Sequence, residues 1–352
     1  MLRGQAPGML LAIAQHGNFL TTWLTLTALT FVLMMIMSGA LFARYYYRPS
    51  FETWQRKSNP VYPRPAMVRR EVLQMLKGVY TAALCPAIAL HLVDSGWSKA
   101  YAGLGGYSAG YLALTFFVVW IGSDFYEFAY HRLGHMAGFW WKQHKSHHVF
   151  FNPSPFAVIA DDHVDQFIRA APLLFLPMLM PVNMDVLFLT YGAFFYAYGV
   201  YLHWGFESRW PDAHHRWINT AFQHYVHHAR STLHKPIHTG FFLKVWDQLF
   251  GSVYEAGPAT CLCCKCSTAR GERTRAAYEA IDKPDYSVLL QPSFWWHGES
   301  RTDSRSAGMG MKWRRGWDSN PRSLSGHTIS SRAPSTGLGH LSSVRPLEDR
   351  EL

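Results

Sequence analysis

The sequence predicts an all-α integral membrane protein, in which a helical bundle of about four spans carries a histidine-rich helical cap on its cytoplasmic side. Three observations predict this class. Residues 4–43 contain no charged side chain, eight histidines recur in short groups beside apolar segments, and the C-terminal part is polar with little apolar periodicity. We therefore expect a membrane-embedded domain over residues 1–255 and a polar, disordered extension over residues 256–352.

The first three expected spans are apolar segments in the N-terminal part of the chain. Residues 20–42 form a run long enough to cross a hydrocarbon core of about 30 Å, and residues 72–93 and 109–130 follow it. The loop between the first two segments is rich in arginine and lysine and holds little acidic charge, which marks the cytoplasmic side. The third span therefore returns the chain to the cytoplasm, where the first histidines lie.

The next apolar stretch, residues 167–204, is either one long tilted helix or a hairpin that turns near Pro181, Val182 and Asn183. A single crossing would leave the last histidine group on the opposite side of the membrane from the first two. We therefore predict the hairpin. Its arms should be short, tilted or partly re-entrant, because two spans of about 20 residues barely fit in this stretch.

The histidines follow H-x3-H and H-x2-H-H patterns. Positions i, i+3 and i+4 share a face of a helix, so each group can aim its imidazoles at one point. Eight donors exceed the four ligands of a tetrahedral zinc, which implies two metals or one metal with a redundant shell. Imidazole suits iron, copper and zinc. The eight are His131, His135, His144, His147, His148, His224, His227 and His228.

These groups, HRLGH, HKSHH and HYVHH, stand in the order typical of a known family. The chain resembles the fatty acid hydroxylase and sterol desaturase superfamily, whose signature is three such histidine boxes, over about residues 107–254. The segments NPSPFAVIADDHVDQFIRAAP, INTAFQHYVHH and KVWDQLFGS are most similar to the C-5 sterol desaturase, or lathosterol oxidase, branch. The chain departs from that branch at His238, Thr239, Val164 and Gln248, so the motifs leave the lipid substrate open.

The resemblance implies an iron-dependent oxidoreductase with two Fe ions and O2 as co-substrate. Its substrate would be a sterol or related lipid, and a fatty acyl, sphingolipid or alkylglycerol substrate is the alternative. Hydroxylation and desaturation both stay open. The implied metal ligands are the eight boxed histidines and His203, and no further catalytic group is identified. Possible outer partners of the imidazoles are Asp124, Glu127, His163, His238 and Asp247.

No flavin, nicotinamide or haem-binding motif is visible in the sequence, so we expect electrons from a separate protein such as cytochrome b5 or a ferredoxin with its reductase. The boxes should face the cytoplasm, in the endoplasmic reticulum of a eukaryote or the inner membrane of a bacterium. Nucleic-acid binding is disfavoured because the basic residues flank apolar spans. A metalloprotease is disfavoured because H-E-x-x-H is lacking.

Two features leave alternatives open. A non-catalytic metal-binding or metal-transport membrane protein would also carry histidines, but a transport path should distribute them along the spans. The segment CLCCKC crowds Cys261, Cys263, Cys264 and Cys266 at a spacing unlike an ordinary zinc knuckle. We interpret it as a feature of an unstructured tail, with weak metal binding or acylation as the alternatives.

Overall fold

The computed structural model describes residues 8–103 and 106–297, and most regular structure in this part of the chain is helical. The helices are α1 (Met9–His16), α2 (Phe19–Tyr45), α3 (Phe51–Trp54), α4 (Pro65–Ala82), α5 (Leu84–His91), α6 (Ala109–Met136), α7 (Gly138–His144), α8 (His163–Ala170), α9 (Pro172–Leu179), α10 (Met184–Thr190), α11 (Ala197–His203), α12 (Ala221–Arg230), α13 (Val245–Leu249), α14 (Cys264–Ala269), α15 (Arg275–Ala280) and α16 (Pro292–His297). A π-helical turn, Tyr191–Tyr196, joins α10 to α11. Short 3-10 turns lie at Pro155–Ala157 and Tyr286–Leu290.

Four helical segments are long and apolar enough to cross a membrane. They are Phe19–Tyr47, Pro65–His91, Ala109–Met136 and Met184–His203. Their outward side chains suit lipid, since Leu20 and Ile36 on α2 and Leu114 on α6 are exposed although they are apolar. The predicted all-α membrane bundle is confirmed, and the chain is an integral membrane protein.

The length of α6 positions the first histidine box. Ser108 begins the helix as its N-cap and accepts the N–H of Tyr111 at 3.2 Å. The helix has 28 residues. At 1.5 Å per residue it is about 42 Å long, whereas the hydrocarbon core is about 30 Å thick. Its last turns, which carry His131 and His135, can therefore project beyond the apolar layer.

Residues 163–203 double back on themselves, as the sequence predicts. Helices α8 and α9 form the first arm, and α10, the π-helical turn and α11 form the return arm. At the turn, strand β2 (Val182–Asn183) pairs in parallel with strand β1 (Ala100–Tyr101), which lies between the second and third spans. Nearby, Tyr111 Oη donates to the carbonyl of Pro181 at 2.8 Å. The turn therefore lies at the end of the bundle that carries the start of α6, opposite the histidines.

Part of the expected disordered extension packs against the membrane-proximal loops. Tyr286 is buried, donates from Oη to the carbonyl of Pro63 at 2.6 Å, and packs its ring 4.9 Å from that of Phe42. Tyr278 Oη donates to the carbonyl of Pro49 at 3.0 Å. This differs from the predicted disorder, because widely spaced aromatic anchors leave no helical periodicity to detect. The remainder of the predicted disordered tail, residues 298–352, lies outside the described residues.

Candidate metal centre

Nine buried histidines meet at one end of the bundle, and we call them the histidine cluster. They come from the end of α6, from α7 and the turn after it, from the end of α11, and from α12. The cluster has two groups, and within each the ligand atoms all lie within 4.8 Å of one another. The larger group is His131, His135, His144, His148 and His227, and the smaller is His147, His203, His224 and His228. The structure thus brings together every histidine that the sequence analysis assigned as a ligand.

Local helix geometry aims these side chains. On α6 one helical turn separates His131 from His135, so both point to the same side. Helix α12 starts with a capping box, in which Thr220 Oγ1 accepts the N–H of Gln223 at 3.3 Å and Gln223 Oε1 accepts the N–H of Thr220 at 3.0 Å. This start fixes the direction of α12, and with it the third histidine box.

Burial keeps the imidazoles neutral. Each of the nine side chains is at most 6% exposed. Burial lowers the pKa of His147 to about 4. Burial, followed by repulsion from neighbouring histidines, lowers the pKa well below its usual range for His144, His148, His224, His227 and His228. A neutral imidazole keeps the lone pair that a metal requires.

Backbone carbonyls fix the tautomer of four members of the cluster. A carbonyl oxygen only accepts hydrogen bonds, so the Nδ1 that faces it must carry the hydrogen, and Nε2 is left with the lone pair. The pairs are His131 with Thr239 (2.9 Å), His135 with Thr232 (3.2 Å), His203 with Gly199 (2.8 Å) and His227 with Ile237 (2.6 Å). These contacts direct Nε2 lone pairs toward the interior of the cluster.

The inner nitrogens are too crowded for hydrogen bonds alone to satisfy. His203 Nε2 lies 2.9 Å from His224 Nε2 and 3.3 Å from His228 Nε2, and the last two are 3.2 Å apart. In the larger group, the Nε2 atoms of His131 and His135 are buried without a hydrogen-bond partner. A cation inside each group would satisfy these lone pairs together. A neutral, all-nitrogen donor set fits a transition metal such as iron, copper or zinc.

Two carboxylates hold the second box from outside. His144 Nδ1 lies 3.0 Å from Asp165 Oδ2, and His147 Nδ1 lies 3.2 Å from Asp161 Oδ1. Tyr130 Oη donates to Asp165 Oδ1 at 2.8 Å. Carboxylates in this position orient metal-binding imidazoles and make them more basic. The sequence analysis did not assign Asp161 or Asp165, and the signal that could have found them is a pair of acidic residues four positions apart beside an apolar stretch.

Comparison with known proteins supports the predicted resemblance. The model of the fatty acid hydroxylase family matches residues 116–252, which include the whole histidine cluster. Mouse lathosterol oxidase is 27% identical over 188 residues, 53% of this chain and 60% of the mouse protein. The Delta(7)-sterol 5(6)-desaturase of Eremothecium gossypii is 32% identical over 165 residues, 46% of this chain and 44% of that protein. These matches support the predicted resemblance to the fatty acid hydroxylase and sterol desaturase superfamily.

These relatives also confirm the predicted sterol desaturase branch of the superfamily. Human lathosterol oxidase is 22% identical over 228 residues, which cover 62% of this chain and 74% of the human protein. The chain covers less than two thirds of the length of the mouse protein. No solved structure matches the chain significantly.

Two of the expected outer partners of the histidines act through the backbone. Asp247 accepts the N–H of Thr239 at 2.9 Å and that of Gly240 at 3.0 Å, so it positions the Thr239 carbonyl that receives the His131 N–H. Asp124 accepts the N–H of Phe242 at 2.7 Å and holds the same loop against α6. Neither carboxylate bonds directly to an imidazole of the cluster.

Glu127 reaches the cluster through an arginine. It forms an ion pair with Arg169, whose Nη2 lies 3.4 Å from His144 Nδ1 and whose Nε lies 3.6 Å from Asp165 Oδ2. The direct carboxylate contact expected of Glu127 is thus made by Asp165. The sequence could not distinguish the two because their arrangement depends on how α8 packs against α6 and α7.

His163 and His238 lie away from the cluster. His163 is exposed, and its Nδ1 is 2.6 Å from Thr81 Oγ1. His238 is buried, with Nε2 3.1 Å from the carbonyl of Tyr254. The prediction that these two histidines are outer partners of the histidine boxes is therefore wrong. The resemblance suggested that role, but both side chains point to other elements.

Proposed function

We propose that this protein is an O2-dependent di-iron oxidoreductase that hydroxylates or desaturates a sterol or related lipid. The observation that carries the proposal is the pair of adjoining imidazole groups, one of five donors and one of four. Two adjoining sets of neutral nitrogen donors suit two redox-active transition metals. The relatives named lathosterol oxidase and Delta(7)-sterol 5(6)-desaturase support lipid oxidation and a sterol substrate.

The larger group would hold one iron and the smaller group the other. When bound, the iron pair would supply the electron transfer with O2 that side chains alone cannot perform. The residues of the chain keep the imidazoles neutral, hold their Nε2 atoms inward and exclude bulk water by burial. The cluster lies at the end of long apolar helices, so a substrate dissolved in the bilayer could approach it without passing through water.

A separate electron donor fits the surface beside the second box. Lys142 and Lys145 are exposed, whereas the histidines between and after them are buried. This basic surface would attract an acidic redox protein such as cytochrome b5 or a ferredoxin. The proposal orients the cluster toward the cytoplasm, in keeping with the basic loop between the first two spans.

A direct assay tests the activity. Membranes containing the iron-loaded protein are incubated with O2, a reductant system and a lipid extract, and the lipids are analysed by mass spectrometry for gain of an oxygen atom or loss of a hydrogen pair. His147→Ala should abolish the product without preventing membrane insertion. His16→Ala is the matched control, because His16 is exposed on α1 outside the cluster. Full activity in His147→Ala would contradict the ligand assignment.

A fatty acyl, sphingolipid or alkylglycerol substrate is the second candidate. The matching family model is that of fatty acid hydroxylases, and this observation favours the alternative. The same lipid extract separates the two, because the mass of the modified species reveals its lipid class. A metal carrier is a candidate of another class, although the donors form closed groups instead of a path. Metal uptake by vesicles without any O2-dependent lipid product would favour the carrier.

A further inference from the structure

A second group of metal-binding side chains lies outside the histidine cluster. The ligand atoms of His214, Cys261 and Cys263 lie within 4.8 Å of one another. His214 Nε2 is 3.3 Å from Cys261 Sγ. Both cysteines are buried, and His214 is exposed at the edge of the group. The predicted unstructured tail around CLCCKC is therefore wrong for these residues, which have defined positions and run into helix α14.

Three of the four cysteines of CLCCKC are linked by contacts between a backbone N–H and a sulfur, and the fourth turns away. The Cys266 thiol lies outside the group of ligand atoms that Cys261, Cys263 and His214 form. Cys264 instead directs its thiol to the carbonyl of Lys57, at 3.5 Å. Removing Cys264 from the pattern leaves Cys263 and Cys266 at a C-x2-C spacing, which is common in zinc sites. The sequence hid this spacing because four cysteines in six positions allow several pairings.

Backbone groups already support two of the sulfurs. The N–H of Cys263 points to Cys261 Sγ at 3.5 Å, and the N–H of Cys266 points to Cys263 Sγ at 3.5 Å. Hydrogen bonds of this kind stabilise a thiolate and orient it toward a metal. All five cysteines of the chain are free thiols in the described structure. The sulfurs are thus available as ligands.

The site connects the loop before α12, helix α12 itself and the segment after residue 256. His214 precedes α12 and packs its ring 5.3 Å from that of Phe222, on the helix that carries the third histidine box. Cys261 and Cys263 belong to the same apolar cluster as Phe222 and Val226. A metal at this position would fasten the segment after residue 256 to the back of α12.

We propose that His214, Cys261 and Cys263 bind one Zn²⁺ ion in a structural site separate from the histidine cluster, with Cys266 as the fourth ligand after a change of its side-chain rotamer. The three thiols lose their protons to solvent as Zn–S bonds form, and no electron is transferred. Three thiolates and one neutral imidazole give the bound ion a net charge of minus one. The site is closed by four protein ligands, as structural zinc sites are.

Cobalt substitution of the full-length protein tests the proposal. The purified protein is stripped of metal under reducing conditions and titrated with Co²⁺. The expected result is a sulfur-to-cobalt charge-transfer absorption whose final intensity corresponds to one sulfur-bound ion per chain, whatever the histidine cluster takes up, and which disappears when Zn²⁺ is added. The histidine cluster contains no sulfur, so it cannot produce this absorption. X-ray absorption of the zinc form should show Zn–S distances of about 2.3 Å.

Matched variants locate the site. Cys261→Ser combined with Cys263→Ser should abolish the charge-transfer absorption, whereas Cys264→Ser should keep it. His214→Gln changes an exposed side chain, so it tests the site even if the double variant fails to fold. It should weaken Co²⁺ binding by more than the roughly 10–100-fold that loss of an outer partner costs. The proposal is overturned by a wild-type protein without the absorption, by a disulfide among these cysteines, or by equal loss in Cys264→Ser.

Discussion

At the scale of single residues, the cluster depends on atoms that never touch a metal. Asp165 illustrates this, because it accepts from Tyr130 at 2.8 Å on one oxygen and lies 3.0 Å from His144 Nδ1 on the other. Tyr130 fixes the orientation of the Asp165 carboxylate, and that carboxylate fixes the orientation of the His144 imidazole. An amide at this position would keep the shape but lose the negative charge that makes the imidazole more basic.

We therefore expect Asp165→Asn to lower iron affinity by roughly 10–100-fold, because the charged partner of His144 is lost. Competition with a ferrous chelator measures the affinity. Asp162→Asn is the matched control, since that carboxylate is partly exposed and pairs with Lys77 instead of a histidine. Equal iron affinity in the Asp165→Asn and wild-type proteins would show that Asp165 does not support iron binding.

The histidine ligands could be predicted from the sequence, but most of their outer partners could not. The H-x3-H and H-x2-H-H spacings express helical geometry, which is local. The acceptors of His131 and His135 are backbone carbonyls of Thr239 and Thr232, about a hundred positions further along the chain. Every residue has a backbone carbonyl, so no pattern of side-chain types in the sequence could indicate which carbonyls accept these hydrogen bonds.

A buried lysine gives the stability of the protein a dependence on pH. Lys57 is fully buried, and burial, followed by the Arg273 cation, lowers its pKa to about 7. The rings of Tyr46, Tyr62 and Phe206 lie within 5.3 Å of Nζ, favour the charged amine and oppose part of this shift. In the unfolded chain the pKa of lysine is about 10.4.

Between pH 7 and about pH 10 the unfolded chain holds a proton that the folded chain has released, so stability rises with pH in this window. The rise is at most about 1.4 kcal/mol per pH unit. Lys57→Met should remove it. Thermal unfolding in detergent, measured from about pH 7 to about pH 9 for both proteins, tests this. Parallel pH profiles would show that Lys57 does not titrate in the folded protein.

At the scale of elements, the first two histidine boxes depend on the close packing of α6 and α7. Gly134 lies on α6 between the two histidines of the first box. A Cβ added there would be 3.2 Å from His144 Cγ, which is closer than ordinary contact. The glycine thus allows the helix that carries one box to approach a ligand of the next box. The spacing of HRLGH does not reveal this requirement, because it arises from the angle between two helices.

Gly134→Ala should therefore displace His144 by a few tenths of an ångström and reduce lipid oxidation roughly tenfold, less than the roughly 100-fold that a 1 Å misplacement costs. Product formation and iron content are measured together. Gly122→Ala is the control on the same helix, because a Cβ at that position meets nothing within 4 Å. A similar loss in both variants would indicate a general effect of alanine on α6.

At the scale of the whole molecule, the sequence predicts the path of the chain but not all of its packing. Hydrophobic length predicts the spans, and the need to unite the histidine boxes predicts the hairpin. The first arm consists of two short helices because Pro172 begins α9 and separates it from α8. The packed segment up to residue 297 was not predictable, since its contacts are made by single aromatic residues against distant loops.

The doubled-back path has a measurable consequence for sidedness. Trp97 and Leu179 are exposed and lie at the end of the hairpin turn, where Lys99 Nζ donates to the Leu179 carbonyl at 3.1 Å. Phe139 is exposed beside the histidine cluster. A membrane-impermeant maleimide applied to sealed vesicles should label Trp97→Cys and Leu179→Cys from one side and Phe139→Cys from the other. The unsubstituted protein gives the background labelling of the native cysteines. Labelling of Leu179→Cys and Phe139→Cys from the same side of the membrane would contradict the hairpin.

The hairpin also sets an order of events during biosynthesis. Five of the nine donors precede it, one lies at its end and three follow it. Neither group of donors is complete until the return arm has crossed, because each contains at least one histidine from α11 or α12. A ribosome-bound chain that has made only α6, α7 and the turn after them holds four of the five donors of the larger group but one of the four donors of the smaller group. Metal uptake by the smaller group is therefore a late event, and it reports that membrane insertion of the hairpin has succeeded.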